Sequence, residues 1–166
     1  MAEPQKKNPL GPTGRTVADN VRRLRGDMQY VKLAARLEEI GRPIPTLGLR
    51  KIESYERRVD ADDLVALAAA LGVSPVTLLM PSGVGAGEIV AVCETEFKAA
   101  TLWEWLIAEW PFPFQGLTEF FARALPPWKL AAVERRIAQR HGESSVADLE
   151  RPITLRFEEA NPDGDD

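Results

Sequence analysis

Residues 41–45 read Gly-Arg-Pro-Ile-Pro, and the chain then continues Thr-Leu-Gly-Leu-Arg-Lys-Ile-Glu from Thr46 to Glu53. The glycine and two prolines impose a turn. The segment after it sets Leu49 and Ile52 three apart, among small and basic residues, as a short helix with one buried edge requires. That turn divides a series of apolar stripes at three- and four-residue spacing. Before it, Thr16 to Asp19 opens a segment carrying Val17, Val21, Leu24 and Met28, and Leu33, Ala34, Leu37 and Ile40 mark a second inner stripe. After it, Asp60 is placed to cap a helix carrying Leu64, Leu67, Ala68 and Leu71. Val59 stands ready to staple onto Leu64, and Asp62 and Asp63 favour the positive helix start. Val73, Ser74, Pro75 and Leu78 repeat the arrangement for a short last helix that Pro81 closes. Residues 16–83 are thus expected to form a compact domain of five helices, preceded by a flexible arm over 1–15.

Composition sets the bounds. With 166 residues, 45% hydrophobic and 28% charged, the chain has room for one sizeable core or two small ones. It holds no run of 18 apolar residues, and its first 15 resemble neither a signal peptide nor a membrane span, so cytoplasmic residence without membrane contact is expected. One cysteine and one histidine, Cys93 and His141, cannot make an internal disulfide and are too few soft ligands for structural zinc. No cofactor is expected. Net charge is −4, but unevenly spread: residues 1–83 carry 13 bases against 10 acids, and residues 84–166 carry 8 against 15. The basic half is the one fit to meet a polyanion, although charge also varies this much along ordinary chains.

Three glycines between Gly83 and Gly87 read as a linker, with a boundary at 84–88. Beyond it, residues 89–160 are expected to form a smaller, mostly helical C-terminal domain with one or two short strands, ending in a disordered tail over 161–166. Ile89 to Cys93 is β-prone. Phe97 to Trp110 reads as a helix apolar on most sides, with Trp103, Trp105 and Trp110, and is stopped at Pro111. Leu117, Phe120, Phe121, Ala124 and Leu125 form a one-sided helix, Leu130, Val133 and Ile137 another, and Ile153, Leu155 and Phe157 alternate as in a strand. The aromatic helix needs cover, either from its own domain or from a second subunit.

Ile52 to Arg57 (Ile-Glu-x-x-x-Arg), followed by Asp-Leu-Val-Ala-Leu-Ala-Ala-Ala-Leu-Gly-Val-Ser-Pro from Asp63 to Pro75, resembles the helix-turn-helix domain of the Cro and phage-repressor (XRE) family over the first half of the chain. The resemblance implies a mainly α fold with a lambda-repressor-like five-helix domain. It also implies a sequence-specific regulator, a repressor by expectation, that binds double-stranded DNA as a homodimer, and the acidic C-terminal domain is expected to supply the pairing or a regulatory input. Third helices about 34 Å apart would then meet an inverted-repeat operator. One departure is Tyr55, where the family commonly has Gly or Asn in a left-handed turn; a bulky residue is costly there, and the helix is expected to run on or turn differently.

If Leu49 and Ile52 point inward, Thr46, Leu47, Gly48, Arg50, Lys51 and Ser54 remain for the outer surface. Arg50 and Lys51 can donate to guanine or phosphate, and Thr46 to a phosphate near the helix start. Gly48, a poor helix former, allows close approach to the groove. Outside such a motif, an Arg-Lys pair is ordinarily a solvated face. The resemblance further implies backbone contact from Gln29 and Tyr30 at the start of the second helix, and an internal ion pair between Glu53 and Arg57, leaving Arg58 for phosphate. Arg22, Arg23, Arg25 and the arm residues Lys6, Lys7 and Arg15 are weaker candidates.

Enzyme chemistry finds little support. Gly83, Gly85 and Gly87 lack the Lys and Ser or Thr of a phosphate loop, and a single His forbids a His-Glu-x-x-His site. Cys93 reads as a small buried hydrophobe, and Glu104 and Glu109 as solvent-facing helix residues. The competing reading is an antitoxin-like or adaptor module that grips a protein partner through the aromatic segment from Trp103 to Phe114.

Overall fold

The computed structural model describes residues 10–93, 95–112 and 116–141. The chain is mainly helical with a two-stranded antiparallel sheet. It divides into two compact units, one reaching Trp103 and one beginning at Glu104.

The first unit opens with α1 (Pro12–Arg25), α2 (Tyr30–Glu39), α3 (Thr46–Glu53), α4 (Ala61–Leu71) and α5 (Pro75–Leu79). Helix α1 packs against α3, α4 and α5, α2 against α3 and α4, and α4 against α5. Their shared core contains Val17, Val21, Leu33, Leu37, Ile44, Leu49, Ile52, Leu67 and Leu78. Each such side chain contributes about 1.5 to 3 kcal/mol on burial. Among them sits buried Asn20, whose amide donates to the carbonyls of Leu78 (3.0 Å) and Met80 (2.7 Å) and so ties α1 to the end of α5.

Local signals act as read at α4 and α5. The Asp60 carboxylate accepts from the Asp63 N–H at 2.7 Å and the Ser74 hydroxyl from the Val76 N–H at 3.2 Å, while Gly72 ends α4 in the left-handed region at φ 72°. Elsewhere the boundaries move. Helix α1 starts at Pro12 rather than Thr16, because proline presets the first-turn geometry and Leu10 folds back over Gly14, where a Cβ would lie 2.7 Å from Leu10 Cδ1. The expected arm therefore loses its last residues to the helix. Met28 lies beyond the end of α1 at Arg25, and Ile40, read as an inner position, caps α2 in the open.

The linker expected at 84–88 does not separate the units. Strands β1 (Ile89–Val92) and β2 (Thr95–Lys98) follow as a hairpin inside the first unit, with Val90 opposite Phe97 and Val92 opposite Thr95. Val90 is buried and β1 packs against α1. The turn needs a positive φ at Cys93 (56°), which leaves this cysteine exposed instead of buried. Phe97 and Lys98 thus belong to a strand, where a helix was expected, because Phe97 is drawn into register with Val90. The helix α6 is only Ala99–Leu106, and a positive φ at Ala108 (56°) turns the chain before Trp110. Glu109 accordingly lies in that turn, and both Glu104 and Glu109 are half-buried.

The division between units falls within α6. The second unit contains α7 (Leu117–Ala124), which buries Phe120 and Phe121, and α8 (Pro127–His141). In it Trp105 stacks on Phe112 with ring centroids 4.3 Å apart. The expected strand at 153–157, the tail over 161–166 and Lys6 and Lys7 lie outside the described residues. Among the described residues no helix is long and apolar enough to cross a membrane.

Candidate nucleic-acid interface

Leu49 and Ile52 are fully buried and seat α3 on the core. At 100° per residue, the opposite side of so short a helix falls to Leu47, Arg50, Lys51 and Ser54, and all four are exposed, Leu47 by 62%. Thr46 and Gly48 lie half-buried on its flanks. Neither Arg50 nor Lys51 enters an ion pair among the described residues. The N-caps of α2 and α3, Gln29 and Pro45, give the first amides no side-chain hydrogen bond, unlike the caps of α4 and α5.

The end of α3 is fixed by a buried carboxylate. Glu53 receives Arg25 Nε at 2.7 Å and Nη2 at 2.9 Å, and the Tyr30 hydroxyl donates to it at 2.7 Å. Arg25 also donates to the carbonyls of Gly26 and Met28, and Arg22 donates to the Glu53 carbonyl. Burial pushes the Glu53 carboxyl up, but the hydrogen bonds from Arg25 and Tyr30 and the neighbouring positive charge outweigh it and hold its pKa below the usual value. The hydrogen bond to Glu53, followed by desolvation, raises the Tyr30 phenol. This cluster corrects the expected pairing of Glu53 with Arg57: the partner comes from α1, and nothing in the local spacing announced it.

Tyr30 is therefore not a free hand for the backbone. Its ring lies under the guanidinium of Arg25, 4.1 Å from the centroid, and also carries Arg50 at 4.9 Å, while its hydroxyl is committed to Glu53. Gln29 beside it is exposed; its carbonyl accepts from Lys32 and Leu33.

Arg57 goes to a second cluster. Asp63, whose side chain is 2% exposed, accepts from Arg57 Nη2 and Arg42 Nε, each at 2.8 Å, and Arg42 also bonds Asp60. On its way Arg57 passes over Gly48, where a Cβ would fall 2.6 Å from Nη1. The glycine thus makes room for an internal arginine, which by itself accounts for a poor helix former within α3. Hydrogen bonding to Asp63 raises the Arg42 pKa, and the hydrogen bond from the Asp63 backbone lowers that of Asp60.

Tyr55 adopts the left-handed conformation after all, at φ 64°. The amides of Tyr55, Glu56 and Arg57 then close the end of α3 on the carbonyls of Ile52 and Lys51. Its hydroxyl donates to Asp19 at 2.5 Å, and Arg15 and Arg22 lie 5.5 and 5.6 Å from its ring centroid. These contacts offset the cost that usually reserves the position for Gly or Asn. Ser54 donates to the Lys51 carbonyl and to Glu56, so an acid stands beside it at the far end of the face. Arg58 is exposed ahead of α4 and borders a cavity of about 340 Å³ lined from α1, α4 and α5, with no residue of α3.

The structure thus brings Leu47, Arg50 and Lys51 together on one open surface, with Thr46 and Gln29 at its margins. It commits Tyr30 and Gly48 to internal packing. Among the described residues no cluster of His, Cys, Asp and Glu could hold a metal ion. Comparisons with protein-family models, curated proteins and solved structures give no match.

Proposed function

We propose that the first half of the chain is a helix-turn-helix domain that binds double-stranded DNA sequence-specifically, as a homodimeric cytoplasmic transcriptional repressor on an inverted-repeat operator. In this reading α2 and α3 form the helix pair, the turn at 41–45 joins them, and α3 enters the major groove. The observation that carries it is the two-sidedness of α3: Leu49 and Ile52 are fully buried, and Leu47, Arg50 and Lys51 stand exposed without ion-pair partners among the described residues. Base edges are read by donors and apolar groups of this kind, and the amides at the starts of α2 and α3, without side-chain caps, suit phosphate oxygens. The uneven charge favours approach by this half.

Selection of bound duplexes from random DNA is the direct test, and symmetric half-sites are expected. The double change Arg50→Ala with Lys51→Ala should abolish specific binding while leaving circular dichroism unchanged. Unchanged operator affinity, or affinity indifferent to salt, would defeat the assignment.

A second reading is supported by Trp103, exposed by 43%: an antitoxin-like or adaptor module whose aromatic segment from Trp103 to Phe114 meets a protein partner. Light scattering after size exclusion separates the two, because a monomer without DNA affinity would favour the adaptor.

A further inference from the structure

Arg50 and Leu47 are three residues apart on the open side of α3, so their side chains leave neighbouring points of one helical face. The two differ in how they are held. Leu47 is a bare aliphatic group exposed by 62%, which in a groove would meet a methyl group. Arg50 rests against the Tyr30 ring at 4.9 Å, and that ring is itself fixed by the bond from its hydroxyl to buried Glu53 at 2.7 Å. The Arg50 guanidinium makes no hydrogen bond among the described residues, so its planar fork is braced on one side with its donors unspent.

An arginine with unspent donors matches the O6 and N7 acceptors of guanine, and an aliphatic side chain matches the C5-methyl of thymine. Resting on the DNA-binding reading above, we infer that each operator half-site carries a thymine adjacent to a guanine, with Leu47 on the thymine methyl, Arg50 on the guanine edge and Tyr30 as the positioning residue of Arg50. Lys51, a flexible point charge, contributes affinity without choosing a base.

The test uses the full chain and the duplex it selects. Replacing the guanine by 7-deazaguanine removes N7, and replacing the thymine by deoxyuridine removes the methyl. Discrimination for guanine over other bases at its position should be about tenfold to a hundredfold. Loss of the methyl should weaken binding about fourfold. Leu47→Ala should bind thymine and deoxyuridine equally, and Arg50→Lys should keep its salt dependence while its guanine preference weakens, the planar fork being lost. Tyr30→Leu should lose that preference too, whereas Tyr30→Phe, which retains the ring but not the hydroxyl bond that fixes it, should keep part of it. Selected sites without the thymine and guanine pair, indifference to both base analogues, or an Arg50→Lys variant with full preference would overturn this inference while leaving DNA binding in place. A chain that selects no duplex at all overturns both.

Discussion

The guanidinium of Arg57 lies across Gly48, so that a Cβ on the glycine would stand 2.6 Å from Nη1 on the arginine's path to Asp63. Alanine in place of a helical glycine ordinarily stabilises by about 1 kcal/mol. Here Gly48→Ala is expected to yield no gain, because Arg57 must shift and loosen its hold on Asp63. In an Arg57→Ala background the same change should recover part of that gain, the remaining contact being with Ile44 Cγ2, 3.1 Å from the new Cβ. Urea denaturation of the four proteins checks this, and equal effects of Gly48→Ala in both backgrounds would contradict it.

Glu53 depends on α1 for its charge partner. Removing Arg25 leaves a buried carboxylate with the Tyr30 hydroxyl and little else, so Arg25→Ala should destabilise the first unit by about 3 to 5 kcal/mol. Tyr30→Phe, which deletes one hydrogen bond to a charge, should cost about 1.5 to 3 kcal/mol. A double-mutant cycle that coupled Glu53 to Arg57 and not to Arg25 would contradict this pairing.

Stability should fall on both sides of a broad plateau in pH. The Glu53 and Asp60 carboxyls have lowered pKa values in the fold, so their contribution is present above the unfolded carboxylate values near about 4 and is lost as pH falls through the folded ones. The Tyr30 and Tyr55 phenols are raised, each first by its hydrogen bond, to Glu53 and to Asp19. Their contribution is present below about 10 and is lost as pH rises through the folded values. Urea midpoints measured from acid to alkali should show a shallower acid limb in Glu53→Gln and a shallower alkaline limb in the double change Tyr30→Phe, Tyr55→Phe.

Tyr55 occupies a conformation that glycine takes freely, yet its hydroxyl and ring are both in use. Tyr55→Gly should therefore be nearly neutral, the relief of backbone strain offsetting the lost contacts. Tyr55→Phe, which keeps the strain and loses the bond to Asp19, should lower stability slightly. Thermal melts distinguish the pair, and a Tyr55→Phe variant as stable as the parent would show the hydroxyl contact to be idle.

The helices from α1 to α5 were legible because each is written locally. A cap such as Asp60, a terminator such as Gly72 and stripes such as Leu49 with Ile52 act within a few residues, and short-range periodicity registers them. The open face of α3 followed from the same periodicity, as the complement of its buried edge. Phe97 defeated local reading, since its strand exists only by pairing with Val90, as did Cys93, exposed by the turn that this pairing requires. Glu53, Arg25, Arg57 and Gly48 were settled still later: their partners are charged groups brought from α1 and α4, and a side chain buried as an ion is distinguished from a solvated one only by what surrounds it. Sequence alone determined which segments of the first unit form α1 to α5 and which sides of them are apolar, though not every boundary, because those energies are local. Only the tertiary structure decided which charges are spent inside the protein and which remain outside it, because charge pairing depends on distance in space and on the exclusion of water.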